Sequence, residues 1–183
     1  MMDYQIAVLV GSLRKASFNL QLAHALEKLM PSHFKLTHAN LDLPLYNQDL
    51  DQSMPAPATA FKDQIRQSHG VLFVTPEHNR SIPAALKNAI DWGTRPYGQN
   101  VWAGKPGGMV GISPSPAGTA MAQQHLRNIL AAEGSVILTL PEVFLQMKEG
   151  FFDADGAIAN TDTRAFLQGW VDRYVAWVEK QAA

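Results

Sequence analysis

The sequence predicts an α/β protein, folded as one domain over residues 1–183 around a doubly wound parallel sheet. Short apolar runs alternate with amphipathic helical segments along the chain, which is the pattern of a parallel sheet with crossover helices. The best of these runs are apolar on both faces, as strands covered by helices on both sides must be. Right-handed crossovers then favour five strands in the order 2-1-3-4-5.

Five strands are predicted from short runs of apolar and β-branched residues. They span Ile6–Val10, Lys35–Leu41, Val71–Val74, Met109–Ile112 and Val136–Leu140. The first and third runs are apolar throughout, whereas the second has the weakest pattern. The first strand is therefore expected to be covered on both faces.

Five helices are predicted from apolar residues at helical spacing and from proline positions. They span Asn19–Met30, Ala58–Ser68, Pro83–Trp92, Gly118–Ala132 and Thr163–Glu179. Pro83 suits the first turn of a helix, where its missing N–H costs no hydrogen bond. The apolar residues expected to pack in the last two helices are Met121, Leu126, Ile129, Leu130, Phe166, Leu167, Trp170, Tyr174 and Trp177.

Composition excludes several classes of function. Fifteen basic and 16 acidic residues give a net charge of −1, which indicates neither a nucleic-acid partner nor an anionic membrane surface. The chain has no cysteine, so disulfides, zinc–thiolate sites, iron–sulfur clusters and a thiol nucleophile are excluded. No segment approaches the roughly 18 apolar residues that span a bilayer, and the N-terminus does not resemble a signal peptide. A cytoplasmic protein without membrane insertion is expected.

No metal site is predicted from the sequence. His33, His38, Asp49 and Asp51 are the candidate ligands, and their spacing matches no established metal-binding pattern.

The predicted topology places the functional site at one edge of the sheet. Ligands of doubly wound sheets bind beyond the carboxyl ends of the strands, where the strand order reverses. For the order 2-1-3-4-5 that point lies between the first and third strands. The loops at 11–19 and 75–81 are therefore the candidate binding segments, with the loop at 113–118 beside them.

The first of these loops is suited to a phosphate monoester. It has neither the dinucleotide glycine pattern nor a Walker motif. Ser12 and Ser17 offer hydroxyl groups, Arg14 offers a forked cation, and the helix that opens near Asn19 presents unpaired N–H groups. The alternative is that Ser17 or Asn19 only caps the helix and that Arg14 is a solvated surface charge.

Two motifs in these loops resemble a known family. They are Gly-Ser-Leu-Arg-Lys-x-Ser-x-Asn at 11–19 and Pro-Glu-x-Asn-x-Ser-x-Pro-x-x-Leu-Lys-Asn-Ala-Ile-Asp-Trp at 76–92. Together they resemble the NADPH-dependent FMN reductase family, nearest to its bacterial chromate and quinone reductases. The resemblance implies a flavodoxin-like fold and non-covalently bound FMN.

The same resemblance implies a set of FMN contacts. Those to the phosphate would come from Ser12, Arg14, Ser17, Asn19 and the amide of Leu20. Those to the isoalloxazine would come from Pro76, Glu77, His78 and Asn79, with Ser113 near the ribityl chain or the ring edge. The N–H groups of His78 and Asn79 are the candidate donors to N5 and O4 of the flavin. His78 stands where the family usually has Tyr, which puts any aromatic packing at that position in question.

The function implied is hydride transfer from NADPH or NADH through FMN to a quinone, an azo compound or chromate. No catalytic side chain is needed, because the flavin carries the chemistry. The family also implies a homodimer or homotetramer, with segments 83–95 and 96–102 as candidate interfaces. Three alternatives stay open: an electron carrier of the flavodoxin type, a flavin reductase that releases reduced FMN to a partner, and a protein for a different phosphorylated ligand.

Overall fold

A parallel sheet forms the centre of the protein, with its first five strands in the predicted order 2-1-3-4-5. The computed structural model describes residues 2–182. The strands are β1 (Tyr4–Val10), β2 (Phe34–His38), β3 (Gly70–Val74), β4 (Pro106–Ser113), β5 (Val136–Ile137) and β6 (Phe144–Gln146). The helices are α1 (Phe18–Glu27), α2 (Ala56–Gln67), α3 (Ala84–Thr94), α4 (Ala120–Ala132) and α5 (Thr161–Ala182), with a short 3₁₀ turn at Gln48–Leu50.

Helices cover both faces of this sheet. One core contains Leu22 and Leu26 of α1 together with Trp170 and Tyr174 of α5. The other core, on the opposite face, contains apolar side chains of α2, α3 and α4, among them Leu126. The flavodoxin-like, doubly wound architecture is confirmed.

The predicted fifth strand, Val136–Leu140, is wrong in its second half. β5 ends at Ile137, and the chain leaves the ladder before β6 rejoins the other half of β4, where Gly111 pairs with Phe144. Pro141 lies within the interruption and has no N–H to donate to a ladder. The strand is thus divided in two, and the sequence pattern missed its second part.

The packing predictions for the last two helices are only partly correct. Leu126, Leu130, Leu167, Trp170 and Tyr174 are buried, as expected. Met121, Ile129 and Trp177 are half-buried, and Trp177 donates a 2.9 Å hydrogen bond to the carbonyl of Val136. Phe166 is 44% exposed, because its helical spacing places it outside the buried stripe that its neighbour Leu167 occupies.

Candidate functional site

A cleft of about 230 Å³ lies between the loops that follow β1, β3 and β4. It is at the carboxyl edge of the sheet, where the predicted topology places the site. Eight of the ten predicted site residues line it, namely Ser12, Arg14, Ser17, Asn19, Pro76, Glu77, His78 and Ser113. Leu20 and Asn79 are absent from its lining, whereas Phe18, Ile112 and Pro114 contribute to it and were not predicted. Their positions directly beside predicted residues were the signal that could have found them.

Glycines allow the loops around the cleft to approach each other closely. A Cβ on Gly11 would lie 3.0 Å from Oγ1 of Thr75 and 3.2 Å from Cδ of Pro76. A Cβ on Gly111 would lie 2.1 Å from Oγ1 of Thr119 and 2.3 Å from the carbonyl oxygen of Thr75. Only a residue without a side chain fits at Gly111, because Thr75 and Thr119 both lie directly against it.

Ser17 caps α1, as the simpler alternative from the sequence proposed. Its buried Oγ accepts hydrogen bonds from the N–H groups of Asn19, at 3.2 Å, and Leu20, at 3.4 Å. A serine hydroxyl also carries one hydrogen that it can donate. Capping and phosphate binding are therefore compatible roles for Ser17.

The side chain of Asn19 joins α1 to β4. Its Nδ2 donates to the carbonyl of Ile112 at 2.9 Å, and its Oδ1 accepts from the N–H of Ile112 at 3.1 Å. The side chain is buried, with 3% of the residue exposed. Both ends of its amide bond β4, and Nδ2 carries a second hydrogen, so the phosphate contact predicted for Asn19 stays a prediction.

The loop before α1 fits the phosphate of FMN. The Arg14 guanidinium folds back onto the carbonyl of Ala16, with a 3.1 Å hydrogen bond from Nε, and lies 5.4 Å from the centre of the Phe18 ring. Within residues 12–18, only the N–H groups of Arg14 and Ser17 donate to an acceptor in the described chain, 2–182. The other N–H groups, the helix end and the cation are groups that suit an anion, and together they make a candidate anion site.

The loop after β3 contains a strained two-residue turn. Asn79 and Arg80 have φ angles of 50° and 62°, and His78 and Ser81 exchange backbone hydrogen bonds of 3.0 and 2.9 Å across them. This is the geometry of a hairpin turn that usually contains glycine. The His78 N–H is thus engaged by Ser81, which corrects its expected role as a donor to flavin. The N–H of Asn79 donates to no group within residues 2–182.

Two side-chain contacts attach this turn to α4. The Glu77 carboxylate accepts hydrogen bonds from the N–H groups of Met121 and Ala122, at 3.0 and 3.1 Å. A negative charge is favourable there because it meets the positive end of the helix dipole. Nδ1 of His125 lies 3.0 Å from Oγ of Ser81. Glu77 therefore acts as a helix cap for α4.

This combination of fold and cleft defines a class, the flavodoxin-like flavoprotein oxidoreductases. The chain matches the model of the NADPH-dependent FMN reductase family over residues 4–150 and belongs to that family. It is an FMN-dependent enzyme with NAD(P)H as co-substrate.

Individual relatives extend over nearly the whole chain. A 2-hydroxy-1,4-benzoquinone reductase of Burkholderia sp. is 51% identical, covering 97% of both proteins. A quinone reductase of Pseudomonas putida is 45% identical, covering 98% of this chain and 97% of its own. The solved structure of FerB, a flavoenzyme NAD(P)H:(acceptor) oxidoreductase from Paracoccus denitrificans, is 45% identical, with a TM-score of 0.94 over 97% of this chain and 98% of its own.

Proposed function

We propose that this enzyme transfers hydride from NAD(P)H through bound FMN to small quinones. The observation that carries the proposal is that the anion site before α1 and residues 76–78 after β3 line one cleft. The relatives named as quinone reductases support this acceptor class, and the relative named for 2-hydroxy-1,4-benzoquinone directs attention to hydroxylated benzoquinones. The proposal also includes azo compounds and chromate as electron acceptors.

The chain's own residues bind and orient the cofactor. Ser12, Ser17, Arg14 and the open N–H groups of residues 12–18 would hold the phosphate, with Asn19 fixing α1 in place. FMN held there would supply the redox chemistry of hydride transfer.

The residues after β3 would form the ring side of the site. Pro76 and His78 line the cleft beside Ser113, and Glu77 secures their loop to α4. The N–H of Asn79 is the donor that would face the flavin heteroatoms. None of these side chains needs to transfer a proton as a general base.

We also propose that the protein is a homodimer or homotetramer. Tyr97, in segment 96–102, is 92% exposed, and Leu45 is 81% exposed. The loop that carries Leu45 is attached to α3, since Trp92 donates a 2.7 Å hydrogen bond to the carbonyl of Pro44. Exposed apolar surface beside α3 is typical of an interaction site. Light scattering should give an oligomeric mass for the wild type and a smaller mass for Tyr97→Asp.

A cytoplasmic location remains part of the proposal. None of the helices in residues 2–182 is both long and apolar enough to cross a membrane. The absence of cysteine is in keeping with a reducing compartment.

An anaerobic stopped-flow experiment tests the proposal on both half-reactions. FMN-loaded protein should be reduced by NADH or NADPH and then reoxidised rapidly by quinones. Azo compounds, chromate and free flavin complete the acceptor panel. Reduction without steady turnover would indicate an electron carrier, and loss of FMN on gel filtration would indicate a flavin-releasing reductase. A protein that binds no FMN at all would overturn the proposal.

A further inference from the structure

Two histidines and a glutamate converge on the surface of the β1–α1–β2 unit, away from the cleft. Nδ1 of His24 lies 3.3 Å from one carboxylate oxygen of Glu27, and Nε2 of His38 lies 2.5 Å from the other. The three ligand atoms all lie within 4.8 Å of one another. Within residues 2–182, this is the one group of three or more such side chains close enough to share a metal ion.

The fold explains why these side chains meet. His24 and Glu27 are three residues apart on α1, so they share one face of the helix. His38 ends β2 and has the same parity along the strand as Phe34, whose side chain packs in the core with α1. His38 therefore lies on the sheet face that α1 covers. The imidazole rings of the two histidines are 5.0 Å apart.

We propose that His24, Glu27 and His38 form a binding site for a divalent transition metal of the zinc type. Imidazole nitrogen and carboxylate oxygen are preferred zinc ligands, and three protein ligands leave a fourth position for water. Metal–ligand bonds of 2.0–2.1 Å in a tetrahedral site place the donor atoms about 3.3 Å apart. The three ligand atoms, now within 4.8 Å of one another, would close to that spacing around the ion.

The neighbouring positive charge, on Lys28, is directed to another group, so the cluster is open to a cation. The ammonium group of Lys28, the residue after Glu27, donates to the carbonyl of Asp155. His24 is exposed, and the side chains of Glu27 and His38 are 33% and 31% exposed. An ion can therefore reach the ligands from solvent while Glu27 stays free of the adjacent cation.

A bound ion would connect the last turn of α1 to the outermost strand of the sheet. His24 is seven residues beyond the cap Ser17, about 10 Å along the helix. The metal would thus stabilise the helix whose first turn holds the anion site. Ligands that bind the folded state alone raise its stability.

Isothermal titration calorimetry of untagged, FMN-loaded protein with ZnCl₂ tests the site. The wild type should bind one zinc ion at this site. His24→Gln and His38→Gln should each weaken binding by roughly tenfold or more, since loss of even outer-shell partners costs about 10–100-fold. MgCl₂ should give no binding heat, because magnesium prefers oxygen ligands.

His33→Gln provides a matched control. His33 forms a comparable 3.1 Å pair with Glu179 and belongs to no such group of three within residues 2–182. This variant should retain wild-type zinc affinity, and the flavin absorbance should show that all variants are folded. The proposal is overturned if the wild type binds no zinc, if both cluster variants bind as tightly as the wild type, or if His33→Gln weakens binding equally.

Discussion

Two of the three loops around the cleft achieve their shapes by different means. The loop before α1 uses ordinary elements, a serine cap and a folded-back arginine. They surround backbone N–H groups that have no acceptor within residues 2–182. The loop after β3 instead holds two consecutive non-glycine residues in the left-handed region and is attached to α4 from outside. The first loop is suited to binding a charged group. The second loop holds Asn79 and Arg80 in a strained backbone conformation, which fixes the direction of a backbone N–H donor.

The largest predicted effect on stability comes from the anchor of the first loop. Asn19→Ala should lower the free energy of unfolding by about 2–4 kcal/mol, because it leaves both backbone groups of Ile112 buried without a partner. Urea denaturation of the apoprotein measures this. Asn128→Ala, at an exposed position of α4, is the matched control and should have little effect.

Arg14→Ala should weaken FMN binding with little change in stability. A charge-assisted hydrogen bond is worth roughly 1.5–3 kcal/mol, which corresponds to about a tenfold to hundredfold loss of affinity. Titration of apoprotein with FMN provides the measurement. Lys15→Ala removes one positive charge from the neighbouring position and is the matched control. An equal loss of FMN affinity in this variant would show that positive charge alone, and not the forked hydrogen bonding of Arg14, holds the phosphate.

Glu77→Ala should cost about 1–2 kcal/mol of stability, because the N–H groups of Met121 and Ala122 lose their charged cap. Thermal unfolding of the apoprotein is suitable for this comparison. Glu149→Ala removes an exposed carboxylate and serves as the control. Equal unfolding temperatures for the two variants would contradict the capping role.

The smallest predicted effect is a gain in stability. Arg80→Gly should stabilise the apoprotein by about 0.5–1 kcal/mol, since relief of left-handed strain exceeds the added entropy of the unfolded chain. Arg80→Ala removes the same side chain but keeps the strain, so it should show no gain. If both variants behave alike in urea denaturation, the turn is not strained and the contrast between the two loops fails.

The fold was predictable because its main signals are local. The apolar runs at β1 and β3 and the proline before α3 indicate elements that the structure confirms. The division of the fifth strand was missed because β6 has only three residues, too few for a periodic pattern, and is defined by its pairing with β4. Its formation depends on a neighbour distant in sequence.

The sequence predicted most of the residues that line the cleft, but it predicted the role of each residue less well. Chain topology and motif order identified most residues that line the cleft. The sequence could not indicate that the Asn19 side chain bonds β4 or that the His78 N–H closes a turn, since both depend on the relative orientation of separate segments. The cluster of His24, Glu27 and His38 was missed for the same reason, because one of its ligands comes from a different element.

The attachment of the β3–α3 turn to α4 has a kinetic consequence. Because Glu77 and Ser81 both form hydrogen bonds with α4, the loop after β3 has its conformation before any ligand binds. Binding of NAD(P)H or of the electron acceptor should then require little rearrangement of this loop and no closure of a lid. Selectivity among electron acceptors would then depend on the width of the cleft entrance. Because that width is fixed, we expect the enzyme to reduce a broad range of acceptors.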